Sequence, residues 1–285
     1  MRSHRKWLAG AFAAIASLSC WVLVSPTQTS GQTPAEPAIK ESGQSVTGAY
    51  EGWYQNSDGT YSLLVGYFNR NSKETFDIPV GPNNRIEPGG PDQGQPTHFL
   101  PRRQWGVFTI TLPKDFGDKK LTWTIVSNGQ TNTIPLNLNP LFVVEPFKDA
   151  SGNGAPVVRF EQGGRAYSGP PRSIGQTLTA TVSEKVPLTA WVTDENTTRQ
   201  VAATGRGAFS PLNVTWSLFR GPADVTFENA RPRLEAGKAS TTAQFSMPGD
   251  YILRLQANNL TGDGGAGFQC CWTNVHVKVE VTPAK

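Results

Sequence analysis

Between Ala155 and Val281 apolar and polar residues alternate in successive short runs, and that alternation leaves the chain few ways to fold. The runs include TLTATVSEKVPLTAWVTDEN, NVTWSLFRGPADVTF, ASTTAQFSMPGDYILRLQANN and WTNVHVKVEV, with Gly, Pro, Asp or Asn in the gaps. A period of two sends neighbouring side chains to opposite faces, so each run reads as a strand with one apolar face to bury. Val214, Trp216 and Leu218 share such a face, as do Tyr251, Leu253 and Leu255. Strands of this kind at this spacing close into a β-sandwich.

A second folded unit is expected upstream, over 48–146. Tyr61–Phe68 (YSLLVGYF) follows Asp58-Gly59, and Asp-Gly after YEGWYQ signals a hairpin. Phe108, Ile110 and Leu112 then alternate with Val107, Thr109 and Thr111, and Leu121, Trp123 and Ile125 with Thr122 and Thr124. Asn128-Gly129 turns the chain into Ile134, Leu136 and Leu138. Helical periodicity is absent there, so this unit too reads as an antiparallel sandwich. Within it, 79–106 (PVGPNNRIEPGGPDQGQPTHFLPRRQWG) holds six prolines and five glycines, and is expected to carry little regular structure. A loop of that length is often functional. Residues 147–154 (FKDASGNG), polar and with two glycines, read as a linker between the units, and 32–47 as a flexible leader.

At the start, Arg2, Arg5 and Lys6 precede an uncharged apolar run from Leu8 to Val24, followed by polar sequence. That is the layout of a secretory signal peptide over 1–31, with an uncleaved membrane anchor at 8–24 as the alternative. Cys20 lacks the aliphatic residue of a lipobox, because Ser17 stands three places before it. The expected location is outside the cytoplasm, periplasmic or secreted, with membrane contact only through that first segment if it is retained. The whole chain carries 26 Lys and Arg against 22 Asp and Glu. Three of those cations lie in the leader, which leaves 23 against 22, so no basic field for nucleic acid exists.

NGAPVV at 153–158, VPLTAWVTD, LNVTWSLFRGPADVTF, TTAQFSMPGDYILRLQA and the closing VHVKVEV resemble the PKD-type immunoglobulin-like modules of bacterial secreted proteins. The resemblance covers residues 155–282. It implies that Trp216 is the core tryptophan and that Tyr251 opens the penultimate strand, and such modules serve mostly as spacers, adhesion elements or docking platforms. This chain differs in its longer 161–175 segment and in the 260–271 connection, which carries TGDGGAGFQCC. The unit at 48–146 has no family resemblance.

The candidate sites are few. Cys270 and Cys271 are the cysteines that remain after the leader, and three states stay open. These are one buried and one exposed thiol, a disulfide between the two, or an intermolecular bond through Cys270. They are not expected to bind metal: Cys270 and His276 would lie about 20 Å apart along a strand, whereas metal–ligand bonds are about 2 Å long. Asp194, Glu195 and Asp263 show no calcium-loop spacing. On the long loop, His98, Phe99, Arg102, Arg103 and Trp105 form a candidate binding surface, joined by Trp191 and Trp272 on strands. Trp191 is expected to face outward between Thr189 and Thr193. Tyr50, Trp53, Tyr54 and Tyr61 cluster near the first hairpin, with Trp53 and Tyr54 as a candidate sugar platform. No G-x-S-x-G, H-E-x-x-H or phosphate loop is present, so no catalytic residue, metal or cofactor is assigned.

The expectation is therefore an all-β chain: two tandem immunoglobulin-like antiparallel β-sandwiches after a signal peptide. It is read as a non-catalytic interaction module of the bacterial envelope, whether adhesin, spacer or docking subunit, with a protein partner. The alternative is a carbohydrate-binding module for a polysaccharide, and an enzyme stands third. Deleting 82–100 is expected to abolish binding and spare the thermal transition.

Overall fold

The computed structural model describes residues 40–148, 153–194, 212–259 and 271–284. The N-terminal segment therefore lies outside the described residues, as do 149–152, Glu195, Asp263 and Cys270. Among the described residues no helix is long and apolar enough to cross a membrane.

The first half is a sandwich of two three-stranded sheets. One has the order β1 (Val46–Gln55), β2 (Tyr61–Asn69), β6 (Arg102–Leu112), and the other the order β4 (Asn84–Glu87), β7 (Lys120–Ser127), β8 (Gln130–Asn137). β3 (Phe76–Asp77) and β5 (His98–Phe99) make a short separate pair. Each hairpin forms where turn chemistry puts it. Asn128 and Gly129 both have positive φ, 46° and 72°, as a two-residue turn between twisted strands requires. The apolar rows that the alternation marks then meet: Leu63, Val65, Phe108 and Ile110 from one sheet pack on Ile86, Trp123, Ile125 and Leu136 from the other. The chain crosses between sheets after β2, after β4 and after β6, so the order reads A-B-E over C-F-G, the immunoglobulin connectivity.

The second half repeats that connectivity at larger size. Its first sheet runs β10 (Tyr167–Ser168), β9 (Val157–Arg159), β12 (Val186–Thr193), β16 (Lys238–Phe245), β14 (Val225–Phe227), with β15 (Leu234–Glu235) paired to β16. Its second runs β11 (Ile174–Thr181), β18 (Trp272–Thr282), β17 (Gly249–Asn258), β13 (Asn213–Arg220). Trp216 lies opposite Leu255 and Leu218 opposite Leu253, so the faces read from the sequence are the core faces. One pair departs from the antiparallel expectation. The opening strand is split, and its second part, β11, crosses to the other sheet and runs parallel to β18. This half is an immunoglobulin-like module, as the PKD resemblance implies.

Two expectations about loops are corrected. Residues 40–47 do not hang free as a leader: Gly43 N–H donates to Glu74, Gln44 N–H to Asn71, and Val46 is fully buried. Segment 79–106 is not structureless. It contains β4, β5 and the start of β6, and it buries Ile86 and Phe99 in the core. Its prolines and glycines connect short strands and do not replace them.

Candidate functional site

Residues Ile39–Lys285 make one compact unit, and the reason lies along one seam between the sandwiches. The outer face of the β13–β17–β18 sheet carries Phe219, Arg254, Trp272, Asn274 and His276, and all five are buried. Phe219 belongs to the apolar core of the first half. Asn274 donates to the carbonyls of Trp105 and Gly106 at 3.3 and 3.0 Å, and Arg254 donates to Gln104 Oε1 at 2.7 Å. His276 Nε2–H donates to the Val107 carbonyl at 3.1 Å, and its ring stacks on Phe219 at 4.2 Å. Burial, reinforced by the nearby Arg254 guanidinium, holds the His276 pKa down at about 3, so the imidazole is neutral.

The long proline-rich segment forms the rest of the seam. Thr97 N–H donates to the Phe219 carbonyl at 3.1 Å. Arg220 donates through Nε to the Gln95 carbonyl at 2.6 Å and through both Nη groups to Asp92 at 2.8 and 3.1 Å. Those bonds hold the Asp92 carboxyl below its ordinary range. Behind them Glu51 is almost wholly buried. It accepts from Arg103 Nη2 at 2.7 Å and from Gly106 N–H at 2.9 Å. Desolvation pushes the Glu51 carboxyl up to about 7, against the pull of Arg103 and that amide.

The candidate binding surface is therefore mostly interior, which corrects its reading as a free face. Phe99 and Trp272 are 0 % exposed and His98 is 7 % exposed. Phe99 packs edge-on to Tyr67 and stacks toward Trp123. Arg103 clamps Glu51 and the Tyr67 carbonyl, and covers the half-buried Trp105 ring at 3.8 Å. Arg102 alone among the five loop residues is exposed, and its backbone N–H donates to Asn71. His98 does not join Arg102 and Arg103 as an anion contact. Its Nδ1 lies 2.8 Å from Asp77 Oδ1 across the β3–β5 pair. Asp224, from the loop after β13 in the other sandwich, brings its carboxylate to the same point, and the three ligand atoms lie within 4.8 Å of one another.

The sugar platform loses its geometry as well. Tyr54 is buried and meets Phe147 edge-on. Trp53 donates its indole N–H to the Asn139 carbonyl at 2.8 Å and stands edge-on to Tyr61. Tyr50 donates its hydroxyl to the Asn137 carbonyl, and burial raises its pKa. Trp191 is half-buried on the outer face, with the Lys238 ammonium 5.4 Å over its ring.

A second polar centre sits where β12 and β17 end and β18 begins. Asn259 donates to Asp194 Oδ2 at 2.9 Å and exchanges amide bonds with Asn153 at 3.2 Å, and all three residues are buried. Cys271 is buried there and disulfide-bonded, with Sγ 3.0 Å from the Asn153 carbonyl oxygen. The other two cysteines, Cys20 and Cys270, lie outside the described residues. In sequence the only hint of the seam is WTNVHV, whose outward row is Trp, Asn and His where a solvated face would carry charge.

No family model and no curated protein matches the chain. Among solved structures it is similar to the PKD domain of human KIAA0319, at 18% identity and TM-score 0.23, covering 40% of this chain and 82% of that one. It is also similar to the D00-D0 domain of intimin, at 12% identity and TM-score 0.28, covering 84% and 100%. Domains 4 and 5 of the S-layer protein SbsC give 14% identity and TM-score 0.25, covering 56% and 65%. At these TM-scores the likenesses carry no argument about activity. The immunoglobulin-like assignment stands on the strand order.

Proposed function

We propose that the chain is an exported, non-catalytic interaction module of the bacterial envelope: a stiff double sandwich that docks a protein partner through one end. The observation that carries this reading is the polar centre of Asp194, Asn259, Asn153 and Cys271. From it depart the two connections 195–211 and 260–270, which lie outside the described residues. They stand in the B–C and F–G positions of immunoglobulin connectivity, and in variable domains the loops in those positions lie at one end of the sandwich and carry recognition. The 79–106 segment supports the same reading. Phe99 and Arg103 are held inside the first sandwich, and Asp92, Gln95, Thr97 and Gln104 bond the second, which leaves the loop end as the place for variable chemistry. Near-neutral charge after the leader suits docking by shape and apolar contact more than long-range steering.

The test is cross-linked co-purification from the native envelope, read by mass spectrometry. Wild type is compared with a variant in which 261–269 are replaced by a Gly-Ser linker and Cys270 is kept. One stoichiometric protein recovered with wild type and lost with the variant, at an unchanged melting temperature, is the expected result. Recovery of wild type alone, or with polysaccharide, overturns protein docking.

A further inference from the structure

We propose that Asp77, His98 and Asp224 form a site for one zinc-class divalent cation that ties the two sandwiches together. Asp77 and His98 are opposite residues of the β3–β5 pair in the first sandwich, and Asp224 belongs to the second. Their ligand atoms already lie within 4.8 Å of one another. Bonds of about 2.1 Å in a tetrahedral site put ligand atoms about 3.4 Å apart. The set closes to that geometry by turning two exposed carboxylates about a buried imidazole. The main chain is held on both sides. The Thr97 amide is bonded to the Phe219 carbonyl, Arg220 is bonded to Gln95 and Asp92, and Gly221 packs against Tyr251 so tightly that a Cβ there would meet its Cδ1 at 2.4 Å.

Charge points the same way. Two carboxylates converge on one imidazole, and among the described residues no Lys or Arg lies within 4.0 Å of either. Like charges so placed oppose each other unless a cation sits between them. The imidazole selects the class. Ca²⁺ and Mg²⁺ take all-oxygen shells, whereas one imidazole with two carboxylates and a water suits Zn²⁺ and its borderline neighbours. Sequence reading misses the site because its members come from three distant segments, with no spacing to betray them.

The experiment uses tag-free protein, ZnCl₂ titrated by calorimetry, and CoCl₂ as a spectroscopic probe. The expected result is one Zn²⁺ per chain, a higher melting temperature with zinc, and visible Co²⁺ bands of a four-coordinate site. Asp224→Asn and Asp77→Asn alter exposed side chains, so both should fold, checked by their zinc-free melting curves. Each should weaken Zn²⁺ at least tenfold and abolish the Co²⁺ bands. Absence of saturable binding, equal affinity in Asp224→Asn, or displacement of Zn²⁺ by equimolar Ca²⁺ overturns the proposal.

Discussion

Gly106 decides how closely the two sandwiches approach. Its φ is +48°, and a Cβ added there would lie 1.8 Å from Cη2 of Trp272 and 2.3 Å from its Cζ2. Trp272 is rigid, fully buried and flanked by the Asn274 amide that bonds the Gly106 carbonyl, so the contact cannot relax by rotating a side chain away. Gly106→Ala should therefore combine overpacking with left-handed strain and destabilise by about 2–4 kcal/mol. Gly117→Ala is the control. It has φ +59° with nothing within 4 Å of the added methyl, so backbone strain alone should cost about 1 kcal/mol. Urea unfolding of the two variants isolates the Trp272 contact, and equal losses would mean that the seam is loose at this point.

The short strands β4 and β5 carry more of the first sandwich than their length suggests. Ile86 sits in register with Trp123, and Asn84 accepts from the Trp123 indole at 3.0 Å while donating to the carbonyls of Ile78 and Pro96. Phe99 fills the space between Tyr67 and Trp123. Deleting 82–100 removes all of this, so it should abolish the cooperative melting transition, where the sequence alone led us to expect its survival. A retained transition in differential scanning calorimetry would return the segment to the status of a loop. The contrast explains what could be read from the sequence. β12, β13, β17 and β18 have eight or more residues and one apolar face each, so their alternation is visible. β4 spans four residues and β5 two, bracketed by prolines, and no period can show over that length. Aromatic or basic character in a proline-rich segment suggests a binding surface, yet Phe99 is aromatic because it fills the core of the first sandwich, and Trp272 because it packs on Gly106 across the seam. No local pattern separates those two causes. The Asp77–His98–Asp224 set depends on tertiary placement alone.

The two sandwiches should respond to pH as one body, because the buried ionisable groups of the seam draw on both. His276 is held near pKa 3 against an ordinary 6.5. The unfolded chain binds a proton there that the folded chain refuses, so stability falls as pH drops from 6.5 toward 3, by up to about 1.4 kcal/mol per unit. Glu51 acts in the opposite sense. Its carboxyl, raised from 4.5 to about 7, keeps a proton that the unfolded chain has released, so stability falls as pH rises through that interval. Between pH 4.5 and 6.5 the two slopes oppose and the wild-type profile should be nearly flat, with a decline below 4.5 from His276. His276→Gln removes one side of that balance while its amide can still donate to the Val107 carbonyl. Its urea midpoint should therefore rise as pH is lowered from 7 to 4.5, where wild type barely changes. If the variant instead parallels wild type, His276 titrates as a solvated imidazole. Water then enters between the sheets, and the sandwiches hinge about the seam where a rigid body would hold them fixed.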